Sequence, residues 1–148
     1  MEPLRRWDMS SAPAPANSPV EFIALTLDCA DAESQERLRT FYADALGGDV
    51  VEGSVRARGL LLSFQALPNY EPPNWPNADA QVHFEWAVED LDAALDWLQE
   101  LGGSLAEHHD PDDLGMRVML DPAGHPFCVM TTVSVRSAFR SEAQYQQR

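Results

Sequence analysis

Few residues of this 148-residue chain have both the type and the spacing to do chemistry. His83 and Glu85 stand two apart in Val82-His-Phe-Glu-Trp-Ala-Val88, so on an extended strand their side chains share a face. An imidazole titrates near neutral pH and can serve as a general acid or base, with a carboxylate beside it to orient it or share the work. The competing reading is a histidine hydrogen-bonded within a sheet. Cys128 could be a nucleophile or a metal ligand if a nearby base or cation favoured its thiolate; a buried cysteine is otherwise inert packing. Arg117 could grip a ligand carboxylate or carbonyl with its fork of donors, or pair with Glu85 and steady an otherwise costly buried charge. Gln65 adds an amide. Trp75 lies in the proline-rich stretch Pro68–Asp79, where an aromatic either covers a core edge or closes over a ligand. Glu107-His-His-Asp110 resembles a metal cluster on paper, but adjacent histidines on a strand point to opposite faces, and the stretch reads as a solvated loop. His125, before Pro126, reads as turn geometry. The chain has no Ser-His-Asp order, P-loop or dinucleotide glycine pattern.

The elements that must position these residues occur twice. Phe22-Ile-Ala-Leu-Thr-Leu-Asp-Cys-Ala-Asp31 precedes a helical stretch ending in Leu46-Gly-Gly48 and then Asp49-Val-Val; Val82-His-Phe-Glu-Trp-Ala-Val-Glu-Asp90 precedes a helical stretch ending in Leu101-Gly-Gly103 and then Ser104-Leu-Ala. In both copies the pattern predicts a strand, an Asp-capped helix, a glycine stop and further strands. The first module has a strand at about 21–28, helical spacing through Leu38, Phe41, Tyr42 and Ala45, and a last strand through Leu60–Phe64. Two strands before that last one are hard to separate within Val50–Arg58. The second has strands at about 81–89, 104–107, 116–120 and 127–132, and a helix with the stripe Leu91, Ala94, Leu95, Leu98 and Leu101.

Each module thus reads βαβββ. The expected fold class is α+β, with two modules in a pseudo-two-fold arrangement forming curved sheets around a cavity and helices outside. Expected boundaries are a disordered arm at 1–19, a domain at 20–132 (module one 20–67, link 68–79, module two 80–132) and a polar tail at 133–148. The apolar strand faces should meet the helices. The opposite faces then present Ala24, Thr26 and Asp28; Ser63 and Gln65; and His83, Glu85 and Ala87. In the final hairpin, pairing Leu120 with Phe127 across the Asp121–Pro126 turn would set Met119 opposite Cys128 and Arg117 opposite Met130. All four would then share the cavity face, and a slip of one residue would invert the assignment. The resulting cavity, apolar with a few polar fixtures, suits a small organic molecule.

Bulk properties narrow the classes. A formal charge of −14 argues against nucleic acid and anionic membranes as partners, and its simplest meaning is solubility. No apolar run approaches a membrane span, and no apolar stretch follows Arg5 and Arg6 as a signal peptide would require, so the cytoplasm is the expected location. Two cysteines, Cys29 and Cys128, make no disulfide framework.

The duplicated βαβββ plan resembles the vicinal oxygen chelate superfamily, which includes glyoxalase I, bleomycin-resistance proteins and extradiol dioxygenases. Within it the chain is similar to actinomycete glyoxalase-like proteins. Phe64-Gln65, Asn74-Trp-Pro76, Val82-His-Phe-Glu85, Val88-Glu-Asp-Leu-Asp92 and Asp121-Pro-Ala-Gly-His-Pro-Phe-Cys128 carry the likeness, which covers about residues 20–132. The resemblance implies a small-molecule ligand and a homodimer. It also implies metal-ligand positions early in each first strand and within each last strand. These fall on Ala24 and His83, on Cys128, and on Ser63 or Gln65. Ala24 ligates nothing and glutamine is a poor ligand for zinc or iron, so the usual quartet is mostly missing. No cofactor is therefore expected; any divalent metal would rest on His83, Glu85 and Cys128. The function expected is metal-independent binding of a small, partly apolar organic molecule between the modules, an acidic surface suiting a cationic one. The alternative is a proton-transfer, isomerase or lyase-type enzyme with His83 as base, Glu85 as a second catalytic group and Arg117 as anchor, with or without an improvised metal. A degenerate interaction subunit is a third reading.

Overall fold

The computed structural model describes residues 22–75, 82–107 and 115–134. The expected arm at 1–19, the end of the link, the histidine pair of Glu107-His-His-Asp110 and the tail beyond 134 lie outside the described residues.

Module one runs β1 (Leu25–Cys29), α1 (Ala32–Leu46), β2 (Asp49–Val51), β3 (Ser54–Ala57) and β4 (Leu60–Ala66). Module two runs β5 (Phe84–Val88), α2 (Leu91–Glu100), β6 (Ser104–Leu105), β7 (Met116–Leu120) and β8 (Pro126–Thr131). Each makes its own four-stranded mixed sheet, ordered β1-β4-β3-β2 and β5-β8-β7-β6, in which the first strand pairs parallel to the last. Two βαβββ modules are therefore present.

Both helices start on the aspartates expected to cap them. Asp31 accepts from the Ser34 amide at 2.8 Å and Asp90 from the Ala93 amide at 3.0 Å. Gly47 ends α1 in the left-handed region at φ 60°. The strands that were hard to separate within Val50–Arg58 are distinct, because two-residue turns join them. Glu52-Gly53 and Arg58-Gly59 take positive φ at both positions (49° and 82°; 53° and 81°), the conformation that a tight hairpin needs.

One core spans both modules. Leu38, Phe41 and Tyr42 of α1 and Leu91, Leu95 and Leu98 of α2 are buried with Leu62 and Phe64 of β4, Met119 of β7 and Phe127 and Val129 of β8. Phe41 lies 6.4 Å from Trp86 and 5.9 Å from Phe127, ring centre to ring centre, so the first helix packs on the second sheet as well as its own. A smaller cluster of Ala106, Val118, Cys128 and Met130, with Trp75, Met116 and Leu120 against it, occupies the helix-free face of the second sheet.

The hairpin register corrects the sequence expectation by one residue. Leu120 pairs with Pro126, Val118 with Cys128 and Arg117 with Val129. The turn is shorter than expected because it winds around Asp121. The Asp121 amide donates to the His125 carbonyl at 2.9 Å, and its carboxylate accepts from the amides of Ala123 and His125 at 2.9 and 3.0 Å. The slip moves Arg117 and Met119 to the helix side: Met119 is fully buried in the main core, and Arg117 lies opposite Val129, also of that core. Arg117 Nη1 donates to the Met116 carbonyl at 2.7 Å.

Candidate functional site

The candidate site lies on the helix-free face of module two. Glu85 on β5 faces Cys128 on β8 across the parallel pair, and His83, two residues before Glu85, projects on the same side. The nearest donor atoms of His83, Glu85 and Cys128 all lie within 4.8 Å of one another, with His83 Nε2 3.6 Å from Glu85 Oε1. His83 and Glu85 are partly open, at 31% and 39% side-chain exposure, whereas Cys128 is buried beneath them. Burial, and the Glu85 carboxylate beside it, push the Cys128 thiol above its usual range, so at neutral pH it is a protonated, poorly nucleophilic group. The Trp75 ring stands edge-on to the His83 imidazole at 5.6 Å. Val118 and Met130, buried beside Cys128, supply an apolar floor.

Five side chains were expected here as ligand contacts. His83, Cys128 and Trp75 meet on this face, with Glu85 added to them. Gln65 sits on the corresponding face of module one, exposed, in register with Asp28. Arg117 does not belong to the site, because the one-residue slip sends it to the opposite face of the sheet. Sequence reasoning missed Val118 for the same reason.

The register also settles the module-one counterpart of Cys128. Thr26 pairs with Ser63 as Glu85 pairs with Cys128, which makes Ser63 the equivalent position rather than Gln65. Module one therefore offers Ala24, Thr26 and Ser63 where module two offers His83, Glu85 and Cys128. A methyl group and two hydroxyls are no match for the donors that zinc or iron prefer, so the residues do not fit a metal shared between the modules.

A second polar cluster locks the link beside this face. Asp121, its side chain fully buried, accepts from the Tyr42 hydroxyl at 2.7 Å and lies 2.8 Å from His125 Nδ1. The Tyr70 hydroxyl donates to the Ala123 carbonyl at 2.8 Å and lies 3.2 Å from His125 Nε2. Pro72 packs over Gly124 so closely that a Cβ there would come within 2.7 Å of it. Tyr42 of α1 thus binds the Asp121 carboxylate directly, Tyr70 of the link reaches the same turn through Ala123 and His125, and the link leads on to Trp75. The motif Asp121-Pro-Ala-Gly-His-Pro signals the turn in the sequence; nothing there names Tyr42 as its partner.

Paired βαβββ modules with a polar cluster on a helix-free sheet face define the vicinal oxygen chelate class. The chain belongs to the glyoxalase-like domain family, whose model matches residues 24–130. Among solved structures it is similar to a glyoxalase family protein from Enterococcus faecalis (19% identity, TM-score 0.54, covering 74% of this chain and 96% of that one). A glyoxalase-related enzyme from Fulvimarina pelagi (18% identity, TM-score 0.53, 77% and 90%) and the fosfomycin resistance protein FosX from Listeria monocytogenes (12% identity, TM-score 0.53, 76% and 93%) share the fold. No curated protein gives a significant match. Among the described residues, no helix is long and apolar enough to cross a membrane.

Proposed function

We propose that this protein binds a small, partly apolar organic molecule on the helix-free face between its modules, and that it does so without a metal shared between them. The observation that carries this reading is the module-two face itself, with His83 and Glu85 half open above a floor of Cys128, Val118 and Met130 and Trp75 at the side. A few polar groups on an apolar surface orient a ligand that burial of apolar area holds. Glu85 lies on the helix-free face of its sheet, and no arginine lies on that face among the described residues of module two, which favours a cationic ligand that can also stack on Trp75. The working compartment under this reading is the cytoplasm and the working state a homodimer, which sedimentation would check.

The test is a thermal-shift screen of small amines and neutral aromatics in the presence of a chelator, followed by NMR mapping of the hits. Binding stabilises the folded state in proportion to the logarithm of ligand concentration over Kd. Hits should perturb the His83 imidazole and the Trp75 indole, and Trp75→Ala should weaken them at least about tenfold, as expected for an aromatic anchor. Hits that leave both rings untouched, or that bind only when metal is restored, would overturn the reading.

One observation favours a catalytic second reading: the His83–Glu85 pair at 3.6 Å, which can orient an imidazole as a base. Arg117, on the other face, has no part in it. A bound ligand would then exchange a carbon-bound proton with deuterated solvent, and His83→Ala would stop the exchange while leaving the ligand bound. Binding with no exchange in the wild-type protein would leave simple sequestration.

A further inference from the structure

We propose that a second cleft, on the helix side where the two modules meet, binds a small aryl carboxylate, its ring against Leu62, Phe84 and Trp86 and its carboxylate on Arg58. This site is separate from the organic-ligand face described above and does not depend on it. Phe84 and Trp86 alternate with His83 and Glu85 along the chain and pack toward the main core, so the cleft lies on the other face of β5.

The cleft has a volume of about 130 Å³. Module one lines it with Leu46 at the end of α1, with Ala57 and Leu60, the last cross-strand pair before the Arg58-Gly59 turn, and with Leu62. Module two adds Phe84 and Trp86, whose rings stand 6.4 Å apart and only 22° from parallel. Leu62 is fully buried and Leu60 is 38% exposed, so the cleft runs from core to surface within two residues of β4. An apolar cavity of about 150 Å³ lined by leucine, isoleucine and phenylalanine is enough to hold benzene. A space of this size and lining therefore takes one aromatic ring, with any polar substituent left at the mouth.

Arg58 decides the charge of that substituent. It is the one charged side chain lining the cleft among the described residues. Arg37 is engaged by Glu33 and Arg39 by Glu36, whereas Arg58 makes no hydrogen bond or ion pair among the described residues. A guanidinium at the rim of an apolar cleft can take a carboxylate through two parallel N–H···O bonds, and the apolar walls strengthen the pair by keeping water away. The net charge of −14 opposes any anion from a distance, but such fields are screened beyond about 8 Å at physiological salt, and Arg58 acts in contact. The equivalent end of module two is closed. There Tyr70 and Pro72 of the link cover the Asp121–His125 turn, and a Cβ on Gly124 would come within 2.7 Å of Pro72. At the Arg58-Gly59 turn a Cβ on Gly59 would meet nothing within 4 Å among the described residues. The same hairpin end is plugged in one copy and open in the other, and the open one carries the arginine.

Phenylacetate is the probe, titrated into the full chain in the presence of a chelator and followed by NMR, with 2-phenylethanol as its neutral counterpart. A ligand of about ten non-hydrogen atoms should reach a Kd of about 1 mM. The expected result is saturable binding at one site, with nuclear Overhauser contacts from the probe ring to the Leu46 and Leu62 methyl groups and no shift of the His83 imidazole; the alcohol should bind more weakly. Arg58→Asn suits the turn, because Arg58 sits at φ 53° and asparagine tolerates the left-handed region. That variant should weaken phenylacetate at least about tenfold and leave 2-phenylethanol unchanged, a split that loss of a merely structural arginine would not give. Leu60→Glu, at the exposed rim, should abolish binding of the acid by setting a like charge at the mouth. No contact with Leu46 or Leu62 at concentrations well above 1 mM would overturn the proposal, as would equal affinity for acid and alcohol in the wild type or an unchanged affinity for the acid in Arg58→Asn. So would phenylacetate contacts at Trp75 and His83, because the acid would then occupy the helix-free face. Amines that bind at Trp75 and His83 bear on the previous reading alone, so the two can fail separately.

Discussion

Asp121 joins three parts of this structure through one side chain. It is a carboxylate with no exposed surface, and its oxygens are taken up by the amides of Ala123 and His125, the Tyr42 hydroxyl and the His125 ring. Burying a charge is tolerable only when donors replace the water it loses. Tyr42→Phe removes one donor and keeps the ring packing, so it should cost about 1–3 kcal/mol in urea denaturation, the range for a buried polar group left short of a partner. Burial, with the Asp121 charge adding to it, holds the Tyr42 hydroxyl well above its usual range and pushes Tyr70 up to about 12. In the unfolded chain both ionise near ~10. The folded state therefore keeps protons that the unfolded state sheds, and this contribution is intact below pH ~10 and lost as pH climbs from there through about 12. Urea midpoints measured across that window should fall more steeply for the wild type than for Tyr70→Phe; parallel curves would remove the tyrosine from the account. At this scale the sequence was legible only in part. Asp121-Pro-Ala-Gly-His-Pro announced a turn, and strand alternation put His83 and Glu85 on one face; Cys128 was set beside them by the hairpin reading and the family resemblance, while the parallel pairing that brings it opposite Glu85 is visible only in the structure. Tyr42 looked like any other core position on a helix, since a hydrogen bond spanning 79 residues leaves no local trace.

At the scale of elements, capping and periodicity were the readable signals and register was not. Both helices begin at their aspartates and turn the predicted stripes inward, with Leu38, Phe41, Tyr42, Leu91, Leu95 and Leu98 buried and Ala45, Ala94 and Leu101 partly so. The two-residue turns at Glu52-Gly53 and Arg58-Gly59 explain why three strands fit between Asp49 and Ala66. The β7–β8 register failed by one residue because the turn length depends on the hydrogen bonds that the Asp121 side chain accepts, which composition does not count. That one residue decided whether Met119 or Val118 stood opposite Cys128, and whether Arg117 shared its face. Gly124 tests the same turn. It sits at φ 90°, and Pro72 fills the space a side chain would need. Gly124→Ala should cost about 1–3 kcal/mol from backbone strain alone. It should also loosen the link, seen as faster limited proteolysis between Leu67 and Trp75 at temperatures where the rest of the chain stays folded. Stability lost with no change at the link would mean that Pro72 is not held there by the turn.

At the scale of the whole molecule, the duplication suggests two units and the packing denies it. Phe41 and Tyr42 belong to module one by sequence, yet they contact Trp86, Phe84 and Phe127 of module two, and Tyr42 holds Asp121. The two sheets are bound by separate backbone ladders but share a single apolar core. A shared core couples their unfolding, because neither sheet can open its helix side without exposing the other's. Native-state hydrogen exchange resolves this strand by strand. The slowest amides of β4 and β8 should report the same opening free energy. Phe41→Ala, which removes a fully packed ring, should lower both by the same amount, about 3–5 kcal/mol. If β4 is destabilised while β8 keeps its protection, the modules unfold independently and Phe41 serves its own sheet only. The coupled outcome has a consequence for the site. The helix-free face of module two is held in shape from behind by residues of module one, so the module that lacks the histidine, carboxylate and thiol of the second at the equivalent positions is still needed as its scaffold.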